Sequence, residues 1–299
     1  MDQPTLTIAI PNKNGENFLP ATMASLRASR PFVRWWFQDA ISSDNSVAIA
    51  ESYRSSVDII SIEKDAGQAD GINRAIDAMG GDIICYLNSD DCLASGAAQS
   101  VLETFAAHPD VDLVYGDIEI IDAGGNLLRT HSGRIHSYDD IADIYNVWWN
   151  GRQWVQPEVF WRRRLWEKVG RFNNELTLAF DFEYWVRALR IGCTVRYIPR
   201  VLSQFRIHAA QKSTNYALAA SEIRQTVLTS LDRQPLRDPA RHRRLFRMLG
   251  YDCYHSREAF GPVSPETTFL RALASNPDWL SLEPVRTRLL RSIAARLGQ

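Results

Sequence analysis

The chain has 299 residues, 45% hydrophobic and 23% charged, which is enough apolar material to bury a substantial core and too much for a disordered chain. Its formal net charge of -1 carries none of the basic footprint that nucleic-acid partners leave, so an anionic ligand has to be met by a local site. Four cysteines, Cys85, Cys92, Cys193 and Cys253, stand at irregular spacings without a CxxC pair, which argues against a disulfide framework or a structural zinc and for a reducing, cytoplasmic setting.

From the start, residues 1–11 lack a basic n-region and run into Pro11 and a polar stretch, unlike a signal peptide. Residues 5–11 read as a strand and 18–29 as a helix with Phe18, Met23 and Leu26 inward; 33–38 is a second strand, followed by a helix through Tyr53. A third strand, 57–62, leads through an Asp-Ala-Gly turn into a helix over 68–79, and a fourth, 82–87, ends in Asn88-Ser89-Asp90-Asp91. This alternation predicts βαβ units and a mainly parallel sheet, with polar clusters after the carboxyl ends of strands, where open α/β sheets bind ligands.

After a helix over 96–107, the runs 113–115 and 118–122 with the Ala-Gly-Gly-Asn turn at 123–126 suggest a hairpin, so the architecture turns mixed. Residues 130–215 carry six tryptophans and a strand pair at 195–198 and 201–205. From Tyr216 onward the pattern is helical, interrupted at Pro235, Pro239, Pro262, Pro265, Pro277 and Pro284. The expected organisation is one α/β domain over 1–215, with a nucleotide-binding half (1–120) and an acceptor half (121–215), and a helical appendage over 216–299. No apolar segment reaches the roughly 18 residues that span a bilayer, so any membrane contact is expected to be peripheral, at the inner face.

The adjacent carboxylates of Asp90 and Asp91 at a strand end repel one another unless a cation or donors compensate. A hard divalent ion such as Mg²⁺ or Mn²⁺ does so with one or two carboxylates plus substrate phosphates. The alternative is that one of them caps the helix that starts near Ser95.

Four motifs in order then resemble the inverting family 2 glycosyltransferases of the GT-A fold. Ile8-Ala9-Ile10-Pro11-Asn12-Lys13-Asn14 is similar to the family's first strand and Pro-x-x-Asn loop. The run Asp39-Ala40-Ile41-Ser42-Ser43-Asp44 resembles its base-holding loop, and Asp65-Ala66-Gly67-Gln68-Ala69-Asp70-Gly71-Ile72-Asn73 the segment closing over the nucleoside. Asn88-Ser89-Asp90-Asp91 takes the place of the metal-binding D-x-D. The resemblance covers roughly residues 5–213. It implies a nucleoside-diphosphate sugar as donor, a glycan or lipid-linked acceptor, and Mn²⁺ or Mg²⁺. Pro11, Asn14, Asp39, Asp65, Gln68, Asn73, Asn88 and Asp90 would then line the donor, with Asp39 accepting from the base, Asp90 near the ribose or a water, and Asp91 ligating the metal. Ala40 and Ile41 stand where the family favours glycine, so the turn is expected to avoid a left-handed backbone, and Asn88 replaces an acid.

Direct displacement needs a general base. The resemblance puts it at Asp181, with Phe180 where the family has an acid; apolar neighbours would raise its pKa, and Glu183 would lie in the site. Alternatively, Asp181 caps a helix on which Glu183 pairs with Arg187. Gln156-Pro157 resembles the segment under the acceptor, and Arg162–Arg164 read as solvated surface or a phosphate contact. His208, followed by Gln211-Lys212-Ser213, resembles the stretch near the metal or diphosphate, which adds His208 as a metal ligand and Lys212 as a donor contact.

Residues 220–299 hold thirteen arginines, no lysine and eight acids, and 285–297 is an imperfectly segregated basic helix suited to packing on the domain, on a second copy of the chain, or on a membrane surface. A nucleotidyltransferase or a dinucleotide oxidoreductase would want a glycine-rich phosphate loop after the first strand, where only Gly15 is present. A sugar-binding protein of the same fold without turnover is the remaining alternative.

Overall fold

In the computed structural model, residues 4–258, 273–274 and 276–297 are described. The chain divides into a unit over 1–219 and a second over 220–299.

The first unit is built on a nine-stranded mixed sheet in the order β3-β2-β1-β4-β8-β6-β9-β5, with β7 paired to β6. Its strands are β1 (Leu6–Asn12), β2 (Val33–Asp39), β3 (Ile59–Ile62), β4 (Ile83–Tyr86), β5 (Cys92–Leu93), β6 (Leu113–Ile121), β7 (Leu127–Ser132), β8 (Val159–Arg162) and β9 (Val195–Arg206). The parallel half, β3-β2-β1-β4, is connected by the helices α1 (Leu19–Ala28), α2 (Ser46–Ser52) and α3 (Gln68–Ala78). Right-handed crossovers of this kind bring the carboxyl ends of β1, β2 and β4 to one rim. All seven residues of β1 are buried, because helices cover both faces of a central parallel strand. Its side chains Leu6, Ile8 and Ile10 pack with Val33, Trp35 and Phe37 of β2, Ile83 and Cys85 of β4, and the inner faces of α1 and α4 (Ala97–Ala107).

Two strand expectations change in the mixed half. Residues 113–121 are one strand, whose hairpin partner across the 122–126 turn is β7. The expected pair at 195–198 and 201–205 is likewise one strand, β9, which runs through Pro199 parallel to β6 with shifts of register. A lone proline is tolerated where the ladder is irregular. β8 was not foreseen; it inserts antiparallel between β4 and β6 and ties the two halves of the sheet together.

Of the three consecutive arginines only Arg164 is solvated surface; Arg162 and Arg163 are partly buried. Arg162 donates to the carbonyls of Phe105, in the last turn of α4, and of Val111 beyond it, and Arg163 to those of Met79 and Gly81 after α3. They satisfy carbonyls left over at helix ends, which attract cations. Arg164 pairs with Asp112. The helix α5 (Tyr138–Ala142) has Ser137 as its N-cap, accepting from the Asp140 amide. The helices α6 (Arg163–Val169) and α7 (Phe180–Arg190) bracket an aromatic cluster in which Trp161, Trp166, Phe172 and Tyr184 meet edge to face or tilted. Trp154, Trp161 and Trp185 are buried, whereas Trp149 is exposed.

The second unit contains α8 (Tyr216–Arg233), which begins just before the boundary, α9 (Pro239–Glu258) and α10 (Glu283–Leu297). Tyr251, Leu273, Trp279, Leu282 and Val285 form a small core there. Pro262 and Pro265, read as helix interruptions, lie outside the described residues, as does the Arg296 side chain. No helix among the described residues is long and apolar enough to cross a membrane.

Candidate active site

The rim after β1, β2 and β4 is assembled by loops that hydrogen-bond to each other. Asp39, the last residue of β2, is wholly buried; its carboxylate accepts from Asn12 Nδ2 (2.7 Å), the Ser42 amide (2.7 Å) and Ser42 Oγ (2.7 Å). The expected base acceptor is thus a carboxylate already held by three protein donors. Asp39 anchors the 40–43 loop to the end of β1, next to buried Pro11. Asn14 fixes the same loop from outside, accepting from the Ser43 amide and donating its own amide to Ser42 Oγ. The expectation that residue 41 avoids a left-handed backbone is also overturned, since Ile41 has φ of 58°. Gly15 lets this layer close on the next: a Cβ there would stand 2.2 Å from Asn12 Oδ1 and 2.8 Å from Ser89 Oγ.

Of the two carboxylates after β4, one faces inward and one outward. Asp91 is 1% exposed, and its oxygens accept from the Arg206 amide (2.9 Å) and Asn88 Nδ2 (3.2 Å). Burial and then the charge of Asp90 push its carboxyl well above the ordinary range. Asp91, which was expected to be the direct metal ligand, is thus buried with both oxygens engaged by protein donors, while Asp90 is the more open of the pair. Asp90 lies 3.0 Å from His208 Nε2, with side chains 29% and 11% exposed. Neither aspartate caps α4, whose cap position is Gly96.

Arg206, not singled out from the sequence, binds this loop in place. Its guanidinium donates to the carbonyls of Asp90 (2.8 Å), Asp122 (3.2 Å) and Ala123 (3.4 Å) and lies over Phe18, whose ring also packs on His208. Among the described residues, no group of three His, Cys, Asp or Glu could hold a metal. Asp90 and His208 nevertheless fit a divalent ion whose remaining ligands come from a diphosphate and water, since Mg²⁺ and Mn²⁺ sites in substrate complexes commonly take one or two protein ligands and Mn²⁺ accepts imidazole.

Other expected residues divide into those that reach the rim and those that brace it. Gln68, at the start of α3, donates to Asn88 Oδ1 (2.8 Å) and accepts from Lys212 (3.2 Å), which joins three expected donor contacts in one chain. The Asp65 carboxyl is raised by burial, is pulled back by the Gly67 amide, and feels the nearby Lys13. Asn73, in contrast, is buried and bonded through both ends of its amide to Phe172 and Asn174, so it pins α3 to the 172–174 loop rather than contacting substrate. Glu183 is bidentate to Arg187, which also caps the carbonyls of Val169 and Arg171, so it too is a brace. Gln156, before a cis proline, is buried and donates to the Tyr86 carbonyl (2.6 Å), under the sheet end rather than at the open rim.

Asp181 stands in the first turn of α7, after the cap position Ala179, and accepts from the Phe182 amide, so it is not the helix cap. Its charge is felt on β4: the buried Tyr86 hydroxyl is raised first by burial and then by the charge of Asp181, and Cys85 and Asp91 add to the effect. Asp181 and Asp91 thus both act electrostatically on one tyrosine. A second unforeseen group is Glu158, fully buried, with Oε1 accepting from the Val155 amide and Oε2 without a partner; burial and then Asp117 push its carboxyl well up. Only its place beside Gln156-Pro157 in an apolar run could have drawn notice.

A sheet of this topology, with a carboxylate loop after β4 and a second carboxylate arriving on α7, is a glycosyltransferase architecture of the GT-A type. The glycosyl transferase family 2 model matches residues 7–176, more than half of the chain, and the chain belongs to that family. A PGL/p-HBAD biosynthesis glycosyltransferase of Mycobacterium bovis is 25% identical over 211 residues, covering 69% of this chain and 78% of the relative. An uncharacterized glycosyltransferase of Methanocaldococcus jannaschii is 19% identical over 213 residues, covering 69% and 72%. Among solved structures, residues 1–349 of S. aureus TarS in complex with UDP-GlcNAc superpose with a TM-score of 0.63 at 14% identity, covering 93% of this chain and 79% of that one. The mannosyltransferase PcManGT of Pyrobaculum calidifontis, in complex with GDP-Man and Mn²⁺, gives 0.59 at 16% identity, covering 96% and 83%. At these identities the two structures speak for the fold.

Proposed function

We propose that the protein is an inverting glycosyltransferase that moves a sugar from a nucleoside-diphosphate sugar, a UDP-sugar in the first instance, to a hydroxyl of a glycan or lipid-linked acceptor in bacterial polysaccharide assembly. The placement of the Asn88–Asp91 loop at the carboxyl end of β4, with Asp181 on α7 close enough for its charge to act on Tyr86 of that strand, carries the reading, because a direct displacement needs a base and a diphosphate anchor at the same opening. The complexes of the two structural neighbours with UDP-GlcNAc and with GDP-Man and Mn²⁺ support a donor of this class and a divalent ion.

In this reading Asp90 and His208 hold the ion, and Asp91 and Arg206 behind them keep the loop in shape. The ion supplies positive charge where the nucleoside diphosphate departs. Asn14, Asp65, Gln68 and Lys212 line the donor, with Lys212 bringing a cation to the chain of amides that ends at Asn88. Asp181 takes the acceptor proton, and the Phe182 amide, donating to its Oδ1, helps to hold the carboxylate. The test is release of nucleoside diphosphate from UDP-GlcNAc, UDP-glucose and GDP-mannose with and without Mn²⁺. Release that depends on Mn²⁺ is expected for at least one donor. Binding of a donor without release in any metal would instead mark a sugar-nucleotide-binding protein.

A further inference from the structure

The second unit has its own small core, and the way α10 uses that core leaves one apolar stripe of the helix facing out. Val285 is buried, and Leu289 packs with it against Tyr251, Trp279 and Leu282. Turned about 100° from that stripe, Arg286, Leu290 and Ile293 follow one another at i, i+4 and i+7, and all three are exposed, Leu290 to 66%. The helix α9 repeats the arrangement. Its Leu245 and Leu249 are buried, whereas Arg243 and Phe246 are exposed on the stripe that runs on to Gly250.

The 3₁₀ turn Pro277–Ser281 joins the two stripes. A Cβ on Gly250 would meet Trp279 at 3.9 Å, and Arg286 Nη1 donates to the carbonyls of Leu280 (3.3 Å) and Ser281 (3.0 Å). Leu280 is itself exposed. Among the described residues, Phe246, Leu280, Leu290 and Ile293 are the large apolar side chains that this unit exposes, and each lies on these stripes or on the turn between them. Arginines are interleaved with them.

Charge says what such a face would meet. The whole chain has a formal net charge of -1, yet residues 220–299 hold thirteen arginines against eight acids, so the basic surplus is gathered in this unit. A guanidinium binds phosphate bidentately. A second copy of the chain would set two arginine-rich faces against each other, like charge opposing like. A nucleic-acid backbone would meet the arginines and leave the aliphatic groups in water. An anionic bilayer takes both, with lipid phosphates at the arginines and the boundary of the acyl chains at the leucines and isoleucine, the helix lying in the plane of the surface. We propose that this face of the second unit docks on an anionic phospholipid membrane. The proposal stands apart from the donor chemistry, since membrane binding is read without nucleotide or acceptor.

The experiment is co-sedimentation of the full chain with vesicles of phosphatidylcholine alone and of phosphatidylcholine and phosphatidylglycerol in equal parts, at low and high salt, with thermal melting and light scattering alongside. The chain should bind the anionic vesicles and not the neutral ones, and salt should weaken the binding. Leu290→Ser combined with Ile293→Ser changes exposed side chains only; it should melt with the parent and bind about tenfold more weakly, because two aliphatic groups no longer leave water. Arg243→Gln combined with Arg244→Gln, on the other helix, should weaken binding by about tenfold or more. Equal binding to both kinds of vesicle, binding to neither, or unchanged binding in both variants would overturn the proposal. So would a concentration-dependent dimer that the Leu290 and Ile293 substitutions dissolve, because the face would then belong to a second copy of the chain.

Discussion

Exchanging Asp90 and Asp91 in turn separates the carboxylate that faces the ligand from the one that holds the loop. Asp91→Ala leaves two donors, the Arg206 amide and Asn88 Nδ2, without their acceptor in a site that is 1% exposed. Each buried unsatisfied donor costs about 1–3 kcal/mol, partly offset because Asn88 is nearer the surface, so the variant should lose roughly 2–4 kcal/mol of stability. Asp90→Ala removes one hydrogen bond between the partly buried side chains of Asp90 and His208, worth about 0.5–1.5 kcal/mol. Binding should rank the other way. Removing one of two protein ligands should weaken Mn²⁺-dependent UDP binding by at least about 100-fold in Asp90→Ala, since changes even to groups behind a metal's ligands cost roughly 10–100-fold. Asp91→Ala, measured well below its denaturation midpoint, should keep measurable Mn²⁺ dependence. Urea unfolding and calorimetry with and without Mn²⁺ give both quantities. If Asp91→Ala folded as stably as the parent and lost all metal dependence while Asp90→Ala retained it, the assignment of the two carboxylates would be refuted.

The remaining predictions address the base, the brace and a buried acid. Asp181→Asn should leave UDP-sugar affinity within about twofold and lower the rate of transfer by about 10²–10⁴-fold, as for a general base; an equal loss of donor affinity in calorimetry would make Asp181 structural. Asn73→Ala, which loses two buried hydrogen bonds and one partly buried one to the 172–174 loop, should cost about 2–4 kcal/mol in chemical denaturation without altering nucleotide affinity by more than about threefold. Burial and then the charge of Asp117 push the Glu158 carboxyl well above the ordinary glutamate range. Above the ordinary glutamate range the folded chain therefore keeps a proton that the unfolded chain has released, so wild-type stability should fall as pH rises until the folded carboxyl ionises. Glu158→Gln stays neutral, and its stability relative to wild type should rise with pH across that window. A constant difference in urea midpoints from mildly acid to mildly alkaline pH would contradict this.

The parallel half of the sheet was legible because its signal is local. Each strand of β1 to β4 is a short apolar run, and each ends in a polar turn that starts a helix or a ligand loop, so the order of elements and the rim could be read along the chain. β8 escaped because it is four residues long with hardly any polar alternation, buried between β4 and β6. β9 looked like two strands because Pro199 interrupts its pattern, and only its pairing with β6 shows the backbone continuing through the proline.

Motif order named the residues that gather around the rim, but their availability was decided elsewhere. Asp39, Asn73, Asp91 and Glu183 match a pattern by residue type, yet each is occupied by a protein partner. The partner of Asp91 lies 115 residues away and that of Asn73 99 residues away. A carboxylate becomes a ligand or a brace according to which donors the fold brings within about 3 Å and whether water still reaches it. Local sequence carries the first requirement of a site, the chemical group at the end of a strand. The second, a lone pair left open to solvent, exists only once β9 has laid Arg206 across the loop and left Asp90 facing out.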